Sequence, residues 1–179
     1  MAKLRKWCAY RTLERPYTRF SKYRKKGFVK SRPGKKVIKF EMGNLSCDRD
    51  KTFPVKLALI SKDGAQVRTN SIEAARVVVT RRVEKAYGRL GFYFRIKSVP
   101  HQSIRENPLA AGAGADRLST GMKHSFGKII GTAARVFPGD TIMELYLPEG
   151  GEALGRDAFR VVSSKLTVRT TTQPIVSKK

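Results

Sequence analysis

Acidic residues are scarce in this chain beside its basic ones. Only 14 Asp and Glu stand against 38 Lys and Arg, leaving a formal charge of +24 and a pI near 10.6. A chain of that sign and magnitude repels itself at low salt and requires a polyanionic partner. Cysteine is nearly absent: Cys8 and Cys47 are the only two, too few for a secreted disulfide framework and consistent with a reducing compartment. With His101 and His124 as the only histidines and no C-x-x-C or H-x-x-x-H spacing, no metal site is expected. Long apolar runs are missing as well. The longest uncharged stretch, residues 107–115, has nine residues broken by Pro108, Gly112 and Gly114, against the roughly 20 apolar residues of a spanning helix. No membrane partner is expected. Tyr10, Arg11 and Glu14 arrive before a signal-peptide apolar run can form.

What is present is charge concentrated at one end. Residues 1–36 hold 14 Lys or Arg and a single acid, Glu14. Six of the sixteen aromatics lie there too, among them Trp7, Tyr17 and Phe20. A plain solvated tail is poor in rings. Cations interleaved with rings suit an arm that lies on RNA, charge against phosphate and ring or guanidinium planes against bases. The expected RNA-binding residues of the arm are Arg5, Lys6, Trp7, Arg11, Arg15, Tyr17, Arg19, Lys22, Arg24, Lys25, Lys26, Arg32, Lys35 and Lys36.

The apolar pattern starts at Val37, which divides the chain into a basic arm at 1–36, one core domain at 37–172 and a short tail at 173–179. Residues 35–40 and 55–61 alternate as strands, the second closed by the turn Lys62-Asp63-Gly64. A helix follows, capped by Asn70 or Ser71 and ended by Gly88, with Ile72, Ala75, Val79, Val83 and Ala86 on its buried stripe. Its outer face carries Arg76, Arg81, Arg82 and Lys85, either a solvated face or a second contact with RNA. Residues 92–97 read as a strand. Residues 129–136 and 141–147 read as a hairpin closed by Phe137-Pro138-Gly139-Asp140. A second helix within 152–164 buries Leu154, Ala158, Val161 and Val162, and residues 166–172 return as β. This order predicts an α+β fold, a mixed sheet with two helices packed on it, plus the arm and a long Gly/Ala-rich loop.

That loop, residues 107–128, is long enough to be functional. It is not a phosphate-binding P-loop: Gly121 and Gly127 enclose five residues rather than four, and Ile129 follows Lys128 where a Ser or Thr is needed. Gly112 and Gly114 lack a third glycine. Cys47-Asp48 with a distant histidine is an arrangement almost any sequence offers, so no catalytic set is expected and no cofactor.

Four stretches in order carry a resemblance: Arg15-Pro-Tyr-Thr-Arg19, Ile38-Lys-Phe-Glu-Met-Gly-Asn44, Ala113-Gly-Ala-Asp-Arg-Leu-Ser-Thr-Gly-Met122 and Phe126-Gly-Lys128. The chain resembles the universal sixteen family of large-subunit ribosomal proteins, in its archaeal and eukaryotic branch, over about residues 5–172. The short C-terminus, without the long eukaryotic tail, points to the archaeal form. The resemblance implies a hammerhead-type α+β fold, binding to large-subunit rRNA near the corridor of the A-site and P-site tRNAs, neighbouring ribosomal proteins as partners, a cytoplasmic ribosomal location and no enzymatic activity. By position, residues 109–121 are then the loop directed at the peptidyl transferase centre. The residues it brings there are Gly112, Gly114, Asp116, Arg117, Thr120, Gly121, Lys123, His124 and Lys128. Lys123-His124-Ser125 departs from the basic-then-small pattern expected at the loop's exit. The physics agrees: a loop entering crowded RNA must be thin, and glycines remove bulk while Arg117 and Lys123 supply charge. The alternative is a free RNA-binding or RNA-chaperone domain, which washing would strip from ribosomes.

The arm generates a first prediction. Binding of the isolated protein to RNA should weaken steeply with salt, log affinity against log salt falling by roughly 0.7 to 0.9 for each neutralised phosphate. Filter binding over a salt series checks it, and a flat dependence refutes it.

Overall fold

The computed structural model describes residues 6–11, 13, 33–34, 36–46, 48–106 and 127–175. Among them a 3-10 turn, Trp7–Tyr10, precedes β1 (Glu41–Gly43), the single turn α1 (Arg49–Thr52), β2 (Val55–Ser61), β3 (Ala65–Arg68), α2 (Thr69–Tyr87), β4 (Tyr93–Ile96), β5 (Gln102–Glu106), β6 (Lys128–Val136), β7 (Thr141–Leu147), α3 (Glu152–Ser163) and β8 (Thr170–Pro174). The strands form a five-stranded sheet in the order β1-β4-β7-β2-β8 and a three-stranded sheet in the order β3-β6-β5. All pairings are antiparallel. The α+β expectation holds, with two long helices.

The two sheets share a bent ribbon. β2 pairs with β7 in the large sheet, Leu57 opposite Leu145, while their continuations β3 and β6 pair in the small one, Val67 opposite Ala134. The expected hairpin of β6 and β7 is therefore corrected. Phe137–Asp140 does turn, the Asp140 N–H donating to the Phe137 carbonyl at 3.1 Å, with Gly139 at φ +89°. It carries the chain across to the other sheet instead of back, because its backbone is already bonded to β2. Gly139 N–H donates to the Ser61 carbonyl at 2.8 Å, and Ser61 N–H to the Asp140 carbonyl at 2.9 Å.

Other departures are local. The strand expected at 35–40 is displaced to Glu41–Gly43, since regular pairing begins where the chain lies along β4, Met42 opposite Phe94. Within the expected strand Val37 is buried but Ile38 is 85% exposed. No side chain caps α2. β3 runs directly into it through Arg68, so the helix starts at Thr69 ahead of Asn70 and Ser71. Ala86 lies exposed beyond the buried stripe of Ile72, Ala75, Val79 and Val83, and Arg76, placed on the outer face, is half-buried. Val161 and Leu154 are half-buried while Phe159 goes into the core. The last β run starts at Thr170, after turns and bends from Ser164 to Val168.

The core lies between the large sheet and the helices. Leu57, Leu145 and Leu147 face α3 so closely that a Cβ on Gly155 would stand 2.5 Å from Leu57 Cδ1. The stripe of α2 closes over Met42, Phe94 and the apolar side of the small sheet, Ala65, Val67, Ala134 and Val136. Gly43, at φ +90°, leaves no room for a Cβ, which would meet the Phe92 carbonyl oxygen. Tyr10 joins the buried set from the N-terminal segment, ahead of Val37 where the apolar pattern begins.

Phe159 is 1% exposed. Phe159→Ala should lower stability by about 3 to 5 kcal/mol through lost burial and the cavity left behind. Denaturant unfolding of the two proteins is the check.

Candidate nucleic-acid interface

An RNA-facing surface needs cations that the protein has not already neutralised. Many are neutralised across the helical layer. Arg76 is hydrogen-bonded to Glu73, Nε at 2.9 Å, and this bond raises its pKa. Arg156 reaches Glu152 at 2.6 Å one turn away. Asp157 joins two arginines: Arg160 at 2.7 Å and Arg82 from α2. Its carboxyl is held below the usual range, first by the Arg160 hydrogen bond and also by the charge of Arg82. Arg82 thus ties α2 to α3. Arg81 is exposed without an ion-pair partner among the described residues. On the opposite face of the large sheet the charges again alternate: Glu41 with Arg95 at 3.3 Å, then Glu144 with Lys97 at 2.6 Å. Arg95 and Glu144 are cross-strand partners, a placement that favours opposite charges.

The small sheet is different. Arg68 lies over the Tyr10 ring, 5.0 Å from its centroid, and Arg135 over Phe137 at 5.2 Å. Tyr10 thereby seats the start of the arm on β3. Leu13 continues the contact, its Cδ1 occupying the place where a Cβ on Gly64 would stand. Beside it opens a cleft of about 1050 Å³, bounded by the β2–β3 turn, the segment after α3, the start of α2 and Arg11. Arg169 and Asp63 lock across one end in a two-pronged pair, Nε to Oδ2 and Nη2 to Oδ1, both at 2.8 Å. That pair holds the Asp63 carboxyl at about 2.

At the far end of the small sheet, Glu106 and Lys128 are opposite partners at the close of β5 and β6. The long loop therefore leaves and returns at neighbouring positions, and Lys128 is exposed at its root. Gly127, next to it, has φ +121°.

Of the residues singled out from the sequence, Lys6, Arg11, Lys36, Arg81, Arg82 and Lys128 are exposed, and Trp7 starts the 3-10 turn. They lie on separate elements: the N-terminal segment, the stretch before β1, α2 and the start of β6. Arg5, Arg15, Tyr17, Arg19, Lys22, Arg24, Lys25, Lys26, Arg32 and Lys35 lie outside the described residues, as do Gly112, Gly114, Asp116, Arg117, Thr120, Gly121, Lys123 and His124. The sequence reading missed Lys62, Lys165 and Arg169 in the cleft. Lys62-Asp63-Gly64 signalled only a turn, and no local pattern shows that the segment after α3 lies beside it. Among the described residues no group of three or more His, Cys, Asp or Glu is placed to hold a metal, and no helix is long and apolar enough to cross a membrane.

The family model described as ribosomal protein L16p/L10e matches residues 17–173. The chain belongs to the L16p/L10e family. Among its relatives is the large ribosomal subunit protein uL16 of Archaeoglobus fulgidus, 40% identical over 169 residues, 94% of this chain and 90% of that protein. Those of Methanosphaerula palustris and Halobacterium salinarum are 41% and 38% identical, over 80% and 88% of this chain and 81% and 86% of their own. The L16p/L10e match spans both sheets and the core walls of the cleft, and begins after Tyr10, Arg11 and Leu13. As a member it is a structural constituent of the ribosome and not an enzyme.

The Asp63–Arg169 pair yields a pH prediction. A carboxyl depressed from 3.8 to about 2 contributes stability that is present above its unfolded value and lost as pH falls through about 2. In Arg169→Ala the Asp63 midpoint should return toward 3.8. Carboxyl-carbon NMR titration reads both midpoints, and an unchanged value would show that Arg169 is not the cause.

Proposed function

We propose that this chain holds large-subunit rRNA near the corridor of the A-site and P-site tRNAs and helps to position tRNA through its long loop. The observation that carries this reading is the root of that segment: Glu106 and Lys128 are paired across β5 and β6, so the two ends of residues 107–127 are held side by side on an antiparallel pair. A loop on a rigid support is how proteins commonly present functional residues at a distance. The family match and the relatives, each named a large ribosomal subunit protein, supply the particle. The arm, residues 1–36 with 14 cations, supplies the grip on rRNA. The protein is a ribosomal component of the cytoplasm, in contact with rRNA and with neighbouring ribosomal proteins.

On this reading Arg117 meets phosphate where geometry matters most. Arg117→Ala ribosomes, with full occupancy of the protein confirmed, should bind tRNA about tenfold more weakly, the scale of one charge-assisted hydrogen bond, and form peptide bonds more slowly. The assay is tRNA binding and single-turnover peptide transfer on purified particles. Wild-type values in these ribosomes and in ribosomes lacking residues 109–121 would reduce the loop to a passive excursion.

A further inference from the structure

We propose that the cleft beside the small sheet is a second RNA-binding site, on the folded core, which receives a stretch of ribose-phosphate backbone between Lys62 and Lys165. The proposal rests on the ribosomal reading and places the binding on Lys62 and Lys165, which neither the arm nor the loop includes.

Among the described residues, the cleft of about 1050 Å³ is lined by four cations, Arg11, Lys62, Lys165 and Arg169, and by one carboxylate, Asp63. Asp63 is committed to Arg169, both bonds at 2.8 Å. Lys62 and Lys165 are exposed and have no ion-pair partner among the described residues. In the helical layer, by contrast, Arg76, Arg82, Arg156 and Arg160 are held by acids of the same surface. The walls are also fixed before any ligand arrives. Lys62 N–H donates to the Arg169 carbonyl at 2.8 Å, and the Thr167 hydroxyl to the Gln66 carbonyl at 3.3 Å. A preformed wall saves the ordering cost of binding.

The hydroxyls distinguish RNA from another anion. Ser163 and Ser164 donate to the carbonyls of Arg160 and Val161, each at 2.8 Å. Their protons are used, so they present acceptor lone pairs to the cleft. A carboxylate only accepts and gains nothing from them, whereas a ribose 2′-OH can donate to them while its phosphate meets the lysines. The cleft also continues from the arm, since Arg11 lines it and Tyr10 is packed on Arg68 next to it. RNA held by the start of the arm thus lies next to the cleft.

The test uses the full chain and deproteinised archaeal large-subunit rRNA as the probe. K62A/K165A should reduce the slope of log affinity against log salt by about 1.5, two phosphates' worth. The control R156A/R160A removes the same charge from the helical surface and should leave the slope unchanged. Both pairs are exposed, and circular dichroism confirms folding. An unchanged slope in K62A/K165A, or an equal drop in both variants, overturns the cleft. Loss of polyglutamate binding with rRNA binding intact overturns it in favour of an acidic protein partner. Failure of the wild-type protein to co-sediment with washed large subunits would instead refute the ribosomal reading itself.

Discussion

Two antiparallel strands that bend together from one sheet into another hold this protein in its shape. At the bend, Ser61 and the Phe137–Asp140 turn are fastened by a pair of backbone hydrogen bonds, 2.8 and 2.9 Å long. Strands running through a corner must keep their ladders on both sides, and a positive-φ glycine, Gly139, lets the outer strand turn without breaking its own. The consequence is directional. The large sheet takes α3 on one face, and the small sheet turns its apolar side under α2, so that both sheets close one core. The root of the long loop and the seat of the arm are both carried by the small sheet.

Charge is partitioned along the same division. On the helices and on the large sheet the acids are used to satisfy arginines and lysines, in short rows such as Glu41, Arg95, Glu144 and Lys97. Exposed pairs of this kind add little stability individually. What they do is cancel the field locally, so that the excess positive charge is felt elsewhere. On the small sheet two arginines are held by rings, Arg68 by Tyr10 and Arg135 by Phe137. A ring leaves the guanidinium charge intact. A surface built in this way orients the protein toward a polyanion as well as attracting it.

The helices, β2, β7 and the large apolar stripe were legible because their signals are local: Ile72, Ala75, Val79 and Val83 recur at helical spacing, and Leu57 and Leu59 at strand spacing. β3 and β5 were not. Ala65–Arg68 is four residues long, and Gln102–Glu106 is mostly polar. Both are strands only because β6 lies between them and completes their hydrogen bonds. The turn at Pro138-Gly139 was read correctly as a turn and wrongly as a hairpin, since a turn's residues set its dihedral angles but not which strand its arms will find.

The sequence by itself determined that the chain is a basic α+β protein with its charge concentrated in residues 1–36 and a Gly/Ala-rich stretch after residue 106, because charge, composition and periodicity are properties of neighbours along the chain. Its order of motifs also carried the family. Only the tertiary structure decided which cations remain unpaired. Arg82 finds Asp157 across 75 residues, and Arg169 finds Asp63 across 106. Lys62 and Lys165 are brought to one cleft without an ion-pair partner among the described residues. Electrostatic partnership falls off over a few ångströms in space, and sequence separation carries no record of that distance until the sheets have folded.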